Sequence, residues 1–296
     1  MTLGAAALKP AALAPAWEDL PEAALSNVFS HLQWDRLPTV ALVCKRWHDI
    51  ALRSPHCLTS LGALVGAEQA EHTHHIMDWL ARYAAPRVQK MHLRVRLNAV
   101  GGDVLPALQR FLDACGMAGK LASVKLEGPL VLAAQLGGLA ALTNCQLFGR
   151  GLQLSPAAQL PVSLTSLQLE GMEPGLPPAQ LATLTNLHTL SLGLPAAPAG
   201  SFTFLTALTS LTSLQLSDCE VPACLPRLTQ LASLGLGRTL VPDVAGPVPT
   251  WHAMQGALQP LTQLRSLMLA GLPGLHVPPV LTRHVLLGEL MWRRGV

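Results

Sequence analysis

The chain has 296 residues, of which 50% are hydrophobic, 12% are charged and 4% are aromatic, and its formal net charge at pH 7 is +3. So much apolar content excludes an intrinsically disordered protein, which lacks surface to bury. The small net charge gives no indication of a nucleic-acid-binding protein, and six Trp, five Phe and one Tyr are few for a base-stacking surface.

The N-terminal residues 1–16 are rich in Ala and Pro, and we expect a disordered leader there. Residues 174–217 contain no charged side chain, but prolines and polar residues interrupt them too often for a membrane-spanning helix. The six cysteines are scattered and no Asn-x-Ser/Thr acceptor occurs. Both features are typical of a reducing compartment, so we expect a cytoplasmic or nuclear protein with no membrane contact.

The pattern of residues 17–58 predicts a compact helical module. Pro21 suits the first position of a helix. Apolar residues then recur at helical spacing, at Leu25, Val28, Phe29 and Leu32. A second helix is predicted after Asp35, with one apolar face made by Leu37, Val40, Ala41, Cys44 and Trp47. So short an apolar module cannot bury a sufficient core unaided, and therefore either the rest of the chain or a partner must cover it.

These residues closely resemble the F-box over about one eighth of the chain. The resemblance is carried by Leu20-Pro21-Glu22, Val28-Phe29, Asp35-Arg-Leu37 and Leu42-Val43-Cys44-Lys45-Arg46-Trp47. It implies docking to a small adaptor protein that links F-box proteins to a cullin–RING ubiquitin ligase, the SCF complex. By position, the residues that would form or support this interface are Leu20, Pro21, Leu25, Val28, Phe29, Leu32, Leu37, Val40, Val43, Cys44 and Trp47. The alternative is a helical cap for the residues that follow.

Residues 59–86 are expected to form a helical linker that docks onto the next domain. Ile76, Met77, Leu80 and the pair Tyr83-Ala84 have the spacing of one apolar helix face.

A leucine pattern repeats through residues 87–296. The sequence L-x-x-L-x-L begins at Leu164, Leu187, Leu211, Leu231 and Leu264, and looser copies begin at Val88, Leu121, Leu142 and Leu287. Most intervals between consecutive starts lie in the range of about 20–29 residues, which is typical of leucine-rich repeats. The pattern therefore resembles a leucine-rich repeat array of about nine copies. A helix is also predicted from Val104 to Ala114, in one of the two longer intervals.

The resemblance implies an α/β fold, in which a three-helix F-box precedes a leucine-rich repeat solenoid. Parallel strands would line the concave face, and short helices or 3₁₀ segments the convex face. The second and third leucines of each copy would then point inward, because strand side chains alternate. One departure is that the Asn or Cys expected after each strand is matched only by Cys219.

The residues between the inward leucines would face the concave side and form a target-binding surface. They are Lys90, His92, Arg94, Lys125, Glu127, Gln146, Phe148, Gln168 and Glu170. The first copies are basic, and we expect four or five positive groups on one rim, with Arg96 beside Lys90, His92, Arg94 and Lys125. Later copies supply mostly Ser, Gly and Ala. The alternative is a solvated face that binds nothing.

These features favour a non-enzymatic substrate-recognition subunit of an SCF-type ubiquitin ligase, acting in ubiquitin-dependent protein catabolism. Its partners would be the adaptor, a cullin through that adaptor, and an unknown target protein; no nucleic acid is expected. The alternative is a scaffold that uses the same modules for assembly without ubiquitination. The sequence predicts no catalytic residue, metal or cofactor, since the histidines at 72–75 lack further ligands at suitable spacing.

Overall fold

The computed structural model describes residues 20–32, 40–41, 43–53, 59–65, 70–95, 104–128, 131–132, 136–154, 159–172, 178–193, 199–217, 221–237, 256–270 and 289–293. The chain divides into two compact units, Met1–Thr59 and Ser60–Val296. The expected leader at residues 1–16 lies outside the described residues. In the described part of the chain, no helix is both long and apolar enough to cross a bilayer.

The first unit is helical. Helix α1 spans Glu22–Ser30, Val40 and Ala41 are also helical, and α2 spans Lys45–Arg53. Pro21 precedes α1, and its carbonyl accepts hydrogen bonds from the backbone N–H groups of Ala24 and Leu25 at 3.0 and 3.1 Å. The core of the unit consists of buried apolar side chains from all three segments, namely Leu25, Phe29, Ala41, Ile50 and Ala51.

The boundary between the second and third helices differs from the prediction. One helix face was expected to continue from Leu37 to Trp47, but the chain turns at Val43 and Cys44, and α2 begins at Lys45. Trp47 therefore lies on the third helix, where its ring packs edge-on against Phe29 with centroids 5.3 Å apart. The apolar spacing continues across the turn, so periodicity alone could not show the break.

The second unit is built on one parallel sheet with strands in chain order. Its strands are β1 (Ser60–Val65), β2 (Lys90–Val95), β3 (Ser123–Glu127), β5 (Asn144–Leu154), β6 (Ser166–Met172), β7 (Thr189–Gly193), β8 (Ser213–Ser217), β9 (Ser233–Gly237), β10 (Ser266–Ala270) and β11 (Glu289–Arg293). A two-residue strand, β4 (Val131–Leu132), pairs with the far end of β5. Each of the nine predicted copies supplies one strand, which begins two residues after the predicted start.

Helical segments connect the strands. Helix α3 (Ala70–Tyr83) lies between β1 and β2, and α4 (Val104–Ala118) lies between β2 and β3, which confirms the predicted helix from Val104 and extends it to Ala118. Later connections contain the short helix α5 (Pro178–Ala182) and 3₁₀ segments at Leu136–Gly138, Ala199–Ala207 and Leu225–Arg227. The chain is thus a mixed α/β repeat fold, as expected.

The helical linker prediction is wrong for its first part. Residues 60–65 form β1, whose Ser60 pairs with Lys90 of β2, and only residues 70–83 are helical. The sheet therefore begins one strand earlier than the leucine pattern indicated. The reason is that Leu61-Gly62-Ala63 places alanine where the pattern requires a second strand leucine.

Leucine burial explains the stacking of the copies. The described inward leucines of the repeat copies from β2 to β10, including Leu167, Leu169, Leu190 and Leu214, are at most 1% exposed. Each copy can bury these side chains only against its neighbours, so the array is stable as a stack rather than as separate units. The inward orientation predicted for these leucines is confirmed.

Candidate protein-binding surfaces

The predicted adaptor-binding residues divide into a buried and an exposed group. Leu25 and Phe29 are 0% and 2% exposed, so they support the surface from beneath. The exposed members are Pro21, Val28, Val43 and Cys44, and the partly exposed members are Leu20, Leu32, Val40 and Trp47. Leu37 lies outside the described residues. Among the described residues of this unit, the exposed large apolar side chains are Val28 and Val43, at 40% and 60%.

A hydrogen bond fixes the two ends of this unit to each other. The Arg46 guanidinium on α2 donates to the backbone carbonyl of Leu20, two residues before α1. Together with the Phe29–Trp47 ring contact, it holds α1 and α2 in one arrangement. The exposed valines are thus presented by a packed helical unit.

The sheet arranges the predicted target-binding residues in rows across neighbouring strands. One row contains His92, Lys125, Gln146 and Gln168, and the next contains Arg94, Glu127, Phe148 and Glu170. Lys90 lies in a third row, beside Ser123 and Asn144. All nine predicted residues therefore belong to four adjacent strands, β2, β3, β5 and β6.

Glu127 is the centre of a charged cluster on this face. Its carboxylate accepts a hydrogen bond from the Arg94 Nε–H, and its Oε1 lies 2.8 Å from Lys125 Nζ and 3.0 Å from His92 Nε2. The hydrogen bond from Arg94, reinforced by Lys125 and His92, lowers the pKa of Glu127 from its usual 4.5 to about 2 against the opposing effect of partial burial. The carboxylate is therefore ionised at every physiological pH.

The predicted rim of four or five positive groups also contains a carboxylate that contacts three of them. Three of the expected positive groups, on His92, Arg94 and Lys125, contact Glu127, and Arg96 lies outside the described residues. The carboxylate nevertheless balances only one of the two permanent charges, those of Arg94 and Lys125, and Lys90 is exposed nearby in the sheet. We call Lys90, His92, Arg94, Lys125 and Glu127 the basic cluster.

An aromatic side chain borders the basic cluster. The Lys125 ammonium lies 5.1 Å from the centroid of the Phe148 ring, within cation–π range. On the next strand, Gln168 Nε2 donates to Glu170 Oε1 at 2.6 Å. The face therefore changes from basic on β2 and β3 to apolar at Phe148 and acidic at Glu170.

Two glycines fix the position of Phe148. The Gly128 N–H donates to the Phe148 carbonyl at 2.7 Å, and Gly128 has a φ of 134°, which disfavours other residues. A Cβ on Gly149 would overlap the Gly128 carbonyl group, with 2.7 Å to its carbon. This close backbone approach was not predicted, although each glycine directly follows a face residue, Glu127 or Phe148, in the sequence.

From β7 to β9 the residues that continue these rows are uncharged, and most are small. They include Ser191, which is 8% exposed, and Ser217, next to Gly193, Gly235 and Gly237. A Cβ at Gly193 would lie 3.0 Å from Ser217 Oγ, so the neighbouring side chains leave little room for a larger residue there. The face residues of β7 to β9 are therefore uncharged and, apart from the exposed Gln215 of β8, small.

Other features of the described residues add no chemical site. Within them, no group of three or more His, Cys, Asp or Glu side chains could hold a metal ion. Burial raises the pKa of the Cys115 and Cys145 thiols to about 12, so they stay protonated at neutral pH. An open polar depression of about 390 Å³ lies at the starts of β9 and β10, lined by residues such as Thr229, Gln230 and Arg265.

Comparison with protein families identifies the first unit. The family model described as F-box-like matches residues 17–56. The chain carries an F-box-like domain followed by leucine-rich repeats. A comparison with curated proteins finds no match. The match covers the exposed valines and the packed helices described above, whereas the repeat assignment rests on the strand ladder.

Several solved repeat proteins are similar to this chain. An internalin of Listeria monocytogenes, InlF, is 12% identical with a TM-score of 0.38, over 80% of this chain and 74% of its own. A leucine-rich repeat protein of Leptospira interrogans is 16% identical with a TM-score of 0.31, over 77% and 64%. The functional domain of InlJ from Listeria monocytogenes is 14% identical with a TM-score of 0.25, over 77% and 56%.

Proposed function

We propose that this chain is a substrate receptor of an SCF-type cullin–RING ubiquitin ligase. The F-box-like domain docks the ligase adaptor, and the exposed face of the sheet holds the target protein. The observation that carries the proposal is that one chain combines an F-box-like domain at residues 17–56 with a repeat array that presents a largely polar sheet face.

The docking surface follows from burial within the helical unit. Leu25 and Phe29 fill the unit's own core, while Val28 and Val43 remain exposed. Interface cores are apolar and poor in charge, so exposed valines on a packed helical unit suit a protein partner. This surface extends over Leu20, Pro21 and Cys44. It is supported by Leu32, Val40 and Trp47.

The receptor contributes no bond-making chemistry. It holds a target near the ligase's transferring partner and so raises the effective concentration of the target's lysines there. Such a mechanism requires two binding surfaces on one chain. We place the protein in the cytoplasm or nucleus, and the unpaired thiols of Cys44, Cys115, Cys145 and Cys224 support a reducing compartment.

Charge substitution at the exposed valines tests the docking. Val28→Asp or Val43→Asp puts an unpaired carboxylate into an apolar interface, and we expect each to weaken adaptor co-purification more than tenfold. The measurement is quantitative co-purification of the adaptor with the full chain. Thermal melting of each variant shows whether the fold is intact, because both sites are on the surface.

A matched control is Met117→Asp, which places the same charge at an apolar side chain that is 87% exposed on the repeat array. This variant should keep wild-type adaptor binding. Retained binding in both valine variants would contradict adaptor docking through this surface. An adaptor complex that contains no cullin and does not ubiquitinate its bound target would favour the scaffold instead.

A further inference from the structure

The basic cluster has more positive charge and more hydrogen-bond donors than its own carboxylate uses. Building on the proposed target-binding role of the sheet face, we propose that the cluster anchors an acidic segment of the target protein, whose remaining residues run across β5 to β9. The occupant is thus an anionic peptide that meets the sheet with its carboxylates or phosphates over β2 and β3.

The number of hydrogen-bond donors in the cluster favours an anionic ligand. Arg94 has five N–H donors and bonds Glu127 through Nε, and Lys125 has three donors and makes one contact with the same carboxylate. The Arg94 side chain is 57% exposed and that of Lys125 34%, whereas Glu127 is 16% exposed. Solvent-facing groups of the cluster are therefore mainly donors, and an approaching carboxylate or phosphate meets cations first.

Glu127 keeps these donors in place before any ligand arrives. It contacts basic side chains from two strands, so Arg94, His92 and Lys125 lose conformational freedom in the free protein. Phe148 restricts Lys125 further through the contact at 5.1 Å. A ligand that binds pre-ordered side chains loses less free energy to ordering them, so the cluster suits recognition better than scattered surface lysines would.

The rest of the face sets the direction in which a peptide extends. Glu170 on β6 repels acidic residues, so the acidic part stays over β2 and β3. Beyond it the face residues of β7 to β9 carry no charge: Ser191 and Gly193 are buried, Ser217 and Gly237 are partly exposed, and Gln215 is exposed. From β3 to β9 the distance is about 24 Å at a strand spacing of about 4.8 Å, which about seven extended residues span.

Fluorescence anisotropy with two synthetic peptides tests the anchor on the full chain. One labelled peptide of about ten residues begins with four glutamates and continues with serine and glycine; the other has glutamine at the same four positions. We expect the glutamate peptide to bind about tenfold more tightly, and its affinity to fall between about 50 and about 200 mM salt. A phosphoserine version should bind at least as tightly, since phosphate carries more charge.

Three variants locate the site. The double change Arg94→Gln and Lys125→Gln should weaken glutamate-peptide binding about tenfold, and the milder Lys90→Gln, which breaks no contact with Glu127, about twofold. Glu170→Gln should tighten it about twofold, because it removes a repelling charge. The matched control, Arg227→Gln with Arg265→Gln, removes the same net charge from exposed positions outside the cluster and should leave affinity within about twofold.

Equal affinities for the two peptides, or equal losses in the cluster and control variants, would overturn the anchor. Adaptor co-purification with the same protein batches separates this outcome from failure of the proposed function. If the adaptor binds while the peptides are not discriminated, the anchor is wrong and receptor docking stands. If the peptides are discriminated while the adaptor does not bind, the receptor proposal fails and the anionic-peptide site stands.

Discussion

On the exposed face of the first strands, the arrangement of the basic side chains depends on Glu127. Its carboxylate contacts Arg94 and His92 on β2 and Lys125 on its own strand. Because it draws together side chains that would otherwise repel one another, its removal leaves three neighbouring basic groups without their shared counter-ion. The residue therefore contributes to stability as well as to the electrostatic pattern of the surface.

The pH dependence of stability tests this role. The pKa of Glu127 is lowered from its usual 4.5 to about 2 by its basic neighbours. A lowered pKa in the folded state gives stability that is fully present above pH 4.5 and is lost as the pH falls towards 2. Screening of the half-exposed partners reduces the contribution to about 1 kcal/mol. Urea unfolding of the wild type and Glu127→Gln should therefore show a difference at pH 6 that disappears near pH 2.

Glu170→Gln is the control for this titration. Glu170 lies in the same row of the sheet and accepts a hydrogen bond from the neutral Gln168, so Glu170→Gln should show no comparable stability difference from the wild type at pH 6. A pH-independent difference for Glu127→Gln would mean that its contacts with the three basic side chains do not stabilise the fold.

At the scale of the strand, alternation separates structural from surface residues. Leu214 of β8 is 1% exposed, and its neighbour Gln215 is on the exposed face. Leu214→Ala should lower the free energy of unfolding by about 2–5 kcal/mol, because it leaves a cavity between copies. Gln215→Ala should change it by less than about 0.5 kcal/mol. Denaturant unfolding measures both, and similar losses would show that the side-chain orientation of β8 is reversed.

Sequence reasoning located the strands well because burial requires the same side-chain type in every copy. The inward face of each strand is marked by leucines, such as Leu167 and Leu169, that recur at matching positions in other copies. The leucine pattern fails at β1, where Ala63 replaces the second strand leucine. The helical pattern fails at Val43, where a turn leaves the apolar spacing unchanged.

The contacts of the basic cluster were less predictable than its location. Strand order places His92 beside Lys125 and Arg94 beside Glu127, and the sequence identified all four as face residues. It could not show that three side chains converge on one carboxylate, since that depends on rotamers. Likewise, the sequence could not show that Val28 is exposed while Leu25 is buried, because this depends on the packing of α1 against α2.

At the scale of the whole molecule, each of the two compact units carries one of the two proposed functions, adaptor binding and target binding. Gly149→Ala tests their independence, because a Cβ there would overlap the Gly128 carbonyl group in the second unit. We expect a loss of about 1–3 kcal/mol in the stability of the repeat array, with unchanged adaptor binding below the melting temperature. Calorimetry and adaptor co-purification measure the two effects.

The matched control is Gly138→Ala, where a Cβ would meet nothing within 4 Å. This substitution should be neutral or slightly stabilising, since alanine lowers the entropy of the unfolded chain. Adaptor binding that falls in parallel with array stability in Gly149→Ala would show that the two units do not act independently.

The regular pairing of the strands also has a consequence for how the sequence can change during evolution. Ser213 pairs with Ser233, 20 positions later, and Ser233 pairs in the same manner with Ser266, 33 positions later. The ladder thus accepts connections of very different length without shifting its alignment. Insertions between strands can accumulate in a lineage while the exposed rows stay aligned. A single residue inserted within a strand would instead turn the following side chains of that strand to the opposite face.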